Sequence, residues 1–425
     1  MTDLATRVAP SHATPLRRAA PALLGYAAVR ALGLVVLAVW SAARGTSAHT
    51  LLTARWDALW YTRVAGLGYG YEVRLPNGDI HSNLAFFPLL PWLERLLHAL
   101  TPLSYADAGF VVSLLASLAA AWGIFAVADH VYGGRVGVCA VLLWAVLPVG
   151  IVQSMAYSES LFTALAAWSL YAVLTGRWVS AGALAALAGL TRPVGLAVVA
   201  AVWVSGIAPF VRDRRTLASH GARDGERAPD AASAAHARRV LATDGARGET
   251  RAPSVTLGAS RRRRALGMLI APLGAASYVL WVGHRTGKGP LGYLDVQAGW
   301  RNGFDGGYAF ARFVADKFTS FPSALAGLGL IIGVGLVIWL YVIGARQRQP
   351  LPLLVYTGVV VALALCASSY FGSKPRLLLP AFPLLLPLAL ALARLRTSRT
   401  ALVTVGVAVA SAVYGAFWLN GSGPP

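Results

Sequence analysis

Repeated apolar runs of about membrane-crossing length constrain this chain more than any motif. From Ala22 onward, long apolar stretches alternate with polar or arginine-bearing breaks. The hydrocarbon core of a bilayer requires about 20 apolar residues per helical crossing. Inside it, a helix satisfies all of its backbone hydrogen bonds within itself. The runs fall at 22–42, 106–128, 135–153, 159–175, 179–190, 193–210, 265–283, 322–344, 351–371, 377–393 and 400–419. They predict an all-α polytopic membrane protein with about 11 transmembrane helices. Charged residues make up 13% of the chain, about half the roughly 25% of a soluble domain, which argues against a soluble globular enzyme. The first run is too long for a signal-peptide core and lacks a cleavage site, so it reads as a retained span.

The stretch from Val179 to Phe210 decides the topology. It is long for one helix and short for two, and Thr191-Arg192-Pro193 interrupts it. Proline disfavours helix at the residue before it, and an arginine deep in the bilayer is costly. Two short helices meeting at an interfacial turn remove both conflicts. With that split and a cytoplasmic N-terminus, the cytoplasmic loops hold Arg135, Arg177, Arg346, Arg348, Arg394 to Arg399 and a loop at 211–264 with thirteen arginines. This is the distribution that the positive-inside rule asks for. The expected order is a cytoplasmic tail at 1–21, then an N-terminal membrane module at 22–210 with its first external loop at 43–105. The Arg-rich loop at 211–264 follows, predicted to be disordered. A C-terminal membrane module occupies 265–425, with an external loop at 284–321. Within the first loop, Ala85 to Leu100 reads as a short helix lying at the interface.

The net charge of +20 fits basic cytoplasmic loops and contact with anionic lipid headgroups better than a nucleic-acid partner. The basic residues are nearly all arginine beside abundant Ala and Gly, which suits a GC-rich bacterial genome. Cys139 and Cys366 both lie in apolar runs and form neither a disulfide framework nor a metal-ligand spacing.

Nine carboxylates lie on the side assigned to the exterior. Asp57 stands first among them, in Arg55-Trp56-Asp57-Ala58-Leu59-Trp60-Tyr61. On a helix, Trp60 and Tyr61 would share its face. Aromatic rings can cover the apolar faces of sugars, and a partly desolvated carboxylate is a better base. The alternative is an interfacial aromatic belt with a solvated aspartate. Glu159, in Ala156-Tyr157-Ser158-Glu159-Ser160, opens a span on the same side. It reads either as a carboxylate that orients substrate or as a helix N-terminal charge. Arg192 suits a lipid phosphate or snorkels to headgroups. Lys374-Pro375-Arg376 runs against the positive-inside trend and is a candidate second phosphate clamp. No phosphate-cradling glycine loop, zinc spacing or trusted Ser-His-Asp order is present, and the Asp-x-Asp pattern is absent, which favours a lipid-phosphate donor. No metal site and no cofactor are assigned.

Taken together, Arg55-Trp56-Asp57 with Trp60-Tyr61, Phe86-Phe87-Pro88-Leu89-Leu90-Pro91, Ala156-Tyr157-Ser158-Glu159-Ser160-Leu161-Phe162 and Leu190-Thr191-Arg192-Pro193 resemble a known family. It is that of the PIG-V-type mannosyltransferases, related to the second mannosyltransferase of GPI-anchor synthesis. Lys374-Pro375-Arg376-Leu377 is similar to a late-loop pattern of related enzymes. The resemblance covers roughly residues 50–200 and is mainly topological beyond 210. It implies the glycosyltransferase C fold and transfer of a sugar, usually mannose, from a polyprenyl-phosphate carrier by an inverting single displacement. It further implies Asp57 as the catalytic centre. On this reading, Glu159 orients substrate, Arg192 with Lys374 or Arg376 binds the phosphate, and Trp56, Trp60, Tyr61 and Tyr157 line the site. The acceptor, a lipid, glycan or protein, is left open. The Arg-rich loop departs from the family pattern. The competing class is a transporter of lipid-linked sugars that forms no glycosidic bond.

Overall fold

The computed structural model describes residues 14–208, 253–368 and 370–421. The helices in chain order begin with α1 (Pro15–Ala43), α2 (Ala48–Thr53), α3 (Asp57–Leu67) and α4 (Leu89–Leu100). Next come α5 (Tyr105–Tyr132), α6 (Gly134–Ala145), α7 (Ser158–Leu174), α8 (Trp178–Gly189) and α9 (Pro193–Ala208). The chain continues with α10 (Pro253–Ile270), α11 (Leu273–Thr286), α12 (Gly292–Gly299) and α13 (Tyr308–Asp316). It ends with α14 (Ser323–Arg346), α15 (Leu351–Cys366), α16 (Lys374–Leu377), α17 (Leu386–Arg394) and α18 (Thr397–Leu419). Two small antiparallel pairings accompany them, β1 (Glu72–Arg74) with β2 (Ile80–Ser82) and β3 (Gly303–Phe304) with β4 (Ala367–Ser368). The chain is therefore an all-helical, multi-pass membrane protein, as the apolar runs require.

Each of the eleven runs corresponds to an apolar helical stretch, but their lengths differ from the expectation. Five are long and apolar enough to cross a membrane unaided, and a sixth qualifies if a bent pair counts as one span. The others are shorter, from Gly134–Ala145 to Ser158–Leu174. Three boundaries need correction. The first helix begins at Pro15, because proline suits an initial helical turn and Arg18 finds a partner in Asp129 at 2.8 Å. The stretch at 377–393 is not a straight span. Phe371–Leu377 and Phe382–Arg394 meet at 75°; Pro380 stands in the break and Pro383 opens the second arm, and proline removes an amide donor and obstructs the preceding turn. Finally, Arg261 to Arg264 lie within a helix that continues into the membrane, with the Arg264 guanidinium 5.1 Å from the Trp178 ring centre. The rest of the 211–264 loop up to residue 252, and the first thirteen residues of the tail, lie outside the described residues.

Helix α5 is central, packed against α7, α6, α4 and α1. Helix α1 also packs on α18, where Thr46 Oγ1 donates to Asn420 Oδ1 at 2.7 Å. Helix α8 lies so close to α10 and α11 that a Cβ on Gly274 would collide with the Ala186 carbonyl; small residues at such crossings are what helix association in lipid exploits. Arg30, buried in α1, donates to the carbonyls of Ala145 and Gly150 where α6 ends. A charge held inside the bundle and spent on backbone carbonyls satisfies groups that lipid could not.

The connections sort to the two ends of the bundle. At one end, Trp300 Nε1 donates to Ser82 O at 3.0 Å, Arg301 pairs with Asp79 at 2.6 Å, and the Thr191–Arg192 turn faces Glu159. The Arg18–Asp129 pair and the Arg264–Trp178 contact hold the other end. The segments at 43–105 and 284–321 thus share a face, which agrees with the split at Thr191. Helix α4 carries Trp92, Leu96 and Leu100 exposed in one stripe while Leu90, Pro91 and Glu94 are buried. That is the pattern of a helix lying in the interface.

Candidate functional site

Four charged side chains from distant parts of the sequence meet at the loop-bearing end. Arg376 Nη1 lies 2.9 Å from Asp57 Oδ2, and its Nε lies 3.2 Å from Glu159 Oε1. Arg192 Nη1 reaches the same Glu159 oxygen at 2.5 Å. The array runs Asp57, Arg376, Glu159, Arg192. The exposures differ in a telling way: the Asp57 side chain is 24% exposed, Arg192 13%, Arg376 9% and Glu159 1%. Asp57 is the member that opens outward, and Glu159 is the counter-charge buried behind both guanidiniums. Removing one member of such a buried pair leaves an uncompensated charge and is strongly destabilising.

Local backbone structure sets both carboxylates. Asp57 is the first residue of α3, and Glu159 stands in the first turn of α7. Trp56, just before α3, is held at φ 51°, ψ −124°, a conformation that costs a bulky residue on the order of 1–3 kcal/mol. The strained turn starts the helix at Asp57, whose backbone N–H points to the Tyr157 hydroxyl at 3.4 Å. Tyr157 is fully buried, and its ring centre lies 5.1 Å from the Arg376 guanidinium. Ser113 Oγ donates to the Tyr157 carbonyl at 3.0 Å and ties this turn to α5. The N-cap residue Tyr157 offers no side-chain cap to α7, and the Glu159 carboxylate pairs with both arginines. Arg192 sits in an extended residue between α8 and α9, the conformation expected before Pro193.

Not every sequence candidate joins the array. Tyr61 does so through Ser158, whose hydroxyl lies 2.7 Å from Tyr61 Oη and accepts from Arg192 Nη1 at 3.3 Å; burial pushes the Tyr61 phenol up. Trp60 lies beside the array in an aromatic group, stacked on Phe86 at 5.7 Å and edge-on to Trp300 at 4.9 Å. Trp56 packs partly against the main core and carries the Arg55 guanidinium 4.3 Å from its ring centre. Lys374 turns away. Its Nζ donates to the carbonyls of Ala364 and Ala367 at 2.8 and 2.7 Å, so it caps the end of α15, and Phe310 and Phe371 flank it. Of the two late-loop cations, Arg376 is the one brought to Asp57.

Ser158, Phe86 and Trp300 are neighbours that sequence reasoning did not assign to the site. Phe86 and Ser158 stood inside quoted motifs, whereas nothing in the local pattern around Trp300 marks it. Among the described residues, no three His, Cys, Asp or Glu side chains group as a metal-ligand set.

Comparison with known proteins adds a partial likeness. Residues 85–222 match the family model described as dolichyl-phosphate-mannose-protein mannosyltransferase. No curated protein sequence matches the chain. Among solved structures, ArnT from Cupriavidus metallidurans bound to undecaprenyl phosphate is similar at 16% identity and TM-score 0.49, over 90% of this chain and 63% of that one. The apo form of the same protein is similar at 15% identity and TM-score 0.49, over 89% and 62%. The chain spans less than two thirds of the length of these structures.

Proposed function

We propose that the chain is an integral-membrane glycosyltransferase of the C-type fold. It moves a sugar, mannose, from a polyprenyl-phosphate carrier to a lipid, glycan or protein acceptor, with inversion, on the outer face of the cell membrane. The observation that carries the reading is the Asp57–Arg376–Glu159–Arg192 array, with its one outward-facing carboxylate. Two carboxylates and two guanidiniums cancel. The N-termini of α3 and α7 then add about half a positive charge each. The balance favours an added anion, as a lipid phosphate would be, and the match of residues 85–222 to a dolichyl-phosphate-mannose family supports the same donor class.

In this mechanism the acceptor hydroxyl attacks the anomeric carbon from the face opposite the phosphate. The new C–O bond forms as the bond to the phosphate oxygen breaks, and the phosphate leaves with the electron pair. Asp57 takes the hydroxyl proton. Arg376 and Arg192 meet the growing charge on the phosphate, which favours the transition state over the ground state. Glu159, too buried to meet substrate, holds both guanidiniums in place. Arg376 takes the second phosphate-binding role and leaves Lys374 to fix the turn before it. Tyr157 and Tyr61 brace the array, and Trp56 and Trp60 border it. The Tyr157-Ser158-Glu159-Ser160 segment supports a PIG-V-type relationship within the class.

The test is transfer of radiolabel from polyprenyl-phosphate-mannose by purified protein in lipid, with a membrane lipid extract as acceptor source. Wild type forms a labelled product and Asp57→Asn does not, although both insert and bind donor. Donor movement across liposomes without a new glycosidic bond would overturn the transferase in favour of a transporter.

A further inference from the structure

Arg63 stands on α3, six residues beyond Asp57 and about 9 Å along the helix axis. Its guanidinium lies 4.5 Å from the ring centre of Tyr71 and 5.6 Å from that of Trp60. The two rings are themselves 5.7 Å apart. Among the described residues Arg63 has neither a carboxylate partner nor a side-chain hydrogen bond. Several neighbours at this end are treated differently: Arg192 and Arg376 are bound to carboxylates, Arg301 to Asp79, and Arg95 to the Ala65 carbonyl, whereas Arg55 shares the pattern, held 4.3 Å from the single ring of Trp56. A guanidinium held by aromatic rings rather than by a carboxylate keeps N–H groups available, and its rigid fork matches the two oxygens of a phosphate or carboxylate. The two ring contacts also reduce the freedom that would be lost on binding. Trp60 connects this cation to the mouth of the array, since it stacks on Phe86 and meets Trp300.

We infer that Arg63, held beside Trp60 and Tyr71, is an anion subsite for the acceptor, and that the acceptor carries a phosphate or carboxylate beside the sugar-accepting hydroxyl. The inference rests on the transferase reading for the word acceptor, but the subsite itself is a binding property. A hydroxyl at Asp57 and an anion at Arg63 would place both ends of such a molecule along one helix, with Trp60 beneath the part between them.

Binding and transfer test the two claims separately. The probes are octyl mannoside and its 6-phosphate, measured by calorimetry with protein in phosphatidylcholine nanodiscs and no donor present. Wild type is expected to bind the phosphorylated probe about tenfold more tightly than the neutral one, the discrimination that one charge-assisted contact gives. Arg63→Gln should abolish the difference, and Arg63→Lys, which keeps the charge without the fork, should retain part of it. Thermal unfolding of both variants reports whether they fold. Equal binding of the two probes by folded wild type would overturn the subsite, as would a preference that survives Arg63→Gln. Enrichment of phosphatidylglycerol around wild type but not Arg63→Gln, with equal probe binding, would reassign the cation to a lipid headgroup and overturn the inference. In the transfer assay with both probes, the KM ratio should follow the binding ratio. Absence of any transfer while the binding preference holds would sink the transferase reading and leave the anion site standing.

Discussion

Residues 14–208 and residues 253–421 are built from similar apolar helices but are held differently. In the first region, the central helix Tyr105–Tyr132 is half buried by its neighbours along its most apolar window, Asp57 and Glu159 stand on helices packed against it, and Arg192 follows α8, which packs on α7. In the second, Ser323–Arg346 is buried over only 11% of the equivalent window. Its Leu325, Ile332 and Trp339 are exposed, as suits side chains in contact with lipid. Lipid tails are as apolar as leucine, so such a helix gains little hydrophobic stabilisation by packing. The second region contributes one member to the array, Arg376, and delivers it on the short arm of a bent pair. The first region is the frame, and the second closes it with a cation.

The two regions meet at the array. Asp57→Asn should lower transfer by roughly 10²–10⁴-fold with little change in thermal unfolding, because Asp57 is the most exposed member. Retained turnover in that variant would remove Asp57 as the base and leave the array only a structural role. Glu159→Gln should act on stability as well. It strips both guanidiniums of their shared buried counter-charge, a loss of about 3–5 kcal/mol that denaturant unfolding in detergent would register. An unfolding curve indistinguishable from wild type would mean that the array does not bind the two regions together.

Glycines sharpen the contrast in packing. A Cβ on Gly123 would lie 2.9 Å from the Ala167 Cβ, whereas one on Gly333 would meet nothing within 4 Å. Gly123→Ala should therefore destabilise by about 1–3 kcal/mol. Gly333→Ala should be neutral or stabilise by up to about 1 kcal/mol through helix propensity. Comparable melting shifts of the same sign in the two variants would erase the distinction between frame and lipid-facing helix.

The smallest effect concerns Glu94, buried in α4 with no hydrogen-bond partner on either oxygen. Burial holds its carboxyl well above the usual carboxylate range. Its folded-state value is raised, so its stabilising contribution is complete below the unfolded value and is lost as pH rises through the folded one. Glu94→Gln should thus match wild type in acid and exceed it in stability at alkaline pH, by on the order of 1 kcal/mol. Thermal unfolding from pH 4 to 9 would show the curves diverging upward; parallel curves would mean that Glu94 stays charged and finds water.

Much of this was legible along the chain because it is local. Apolar run length and proline placement set the helices, the Trp92–Leu96–Leu100 stripe sets the interfacial one, and Thr191-Arg192-Pro193 marks a turn. Asp57, Glu159, Arg192 and Arg376 could each be named from residue type and surroundings. What could not be read was their company. Lys374 and Arg376 are two residues apart and look equivalent in sequence, but on one helical turn they point about 200° apart, so one reaches backbone carbonyls and the other Asp57. Glu159 reads equally as a substrate-orienting acid or a helix N-terminal charge, and only the fold places it 1% exposed between two arginines; Trp300 has no mark at all until its ring meets Trp60.

By itself, then, the amino-acid sequence determined that the chain is helical, lives in a membrane and carries a few acids and arginines at one face, because each of these follows from hydropathy and charge over a short window. Only the tertiary structure decided which acid faces outward, which is walled in, and which arginine joins them. Ion pairing depends on separations of a few ångströms between residues hundreds of positions apart, and no local pattern encodes that distance.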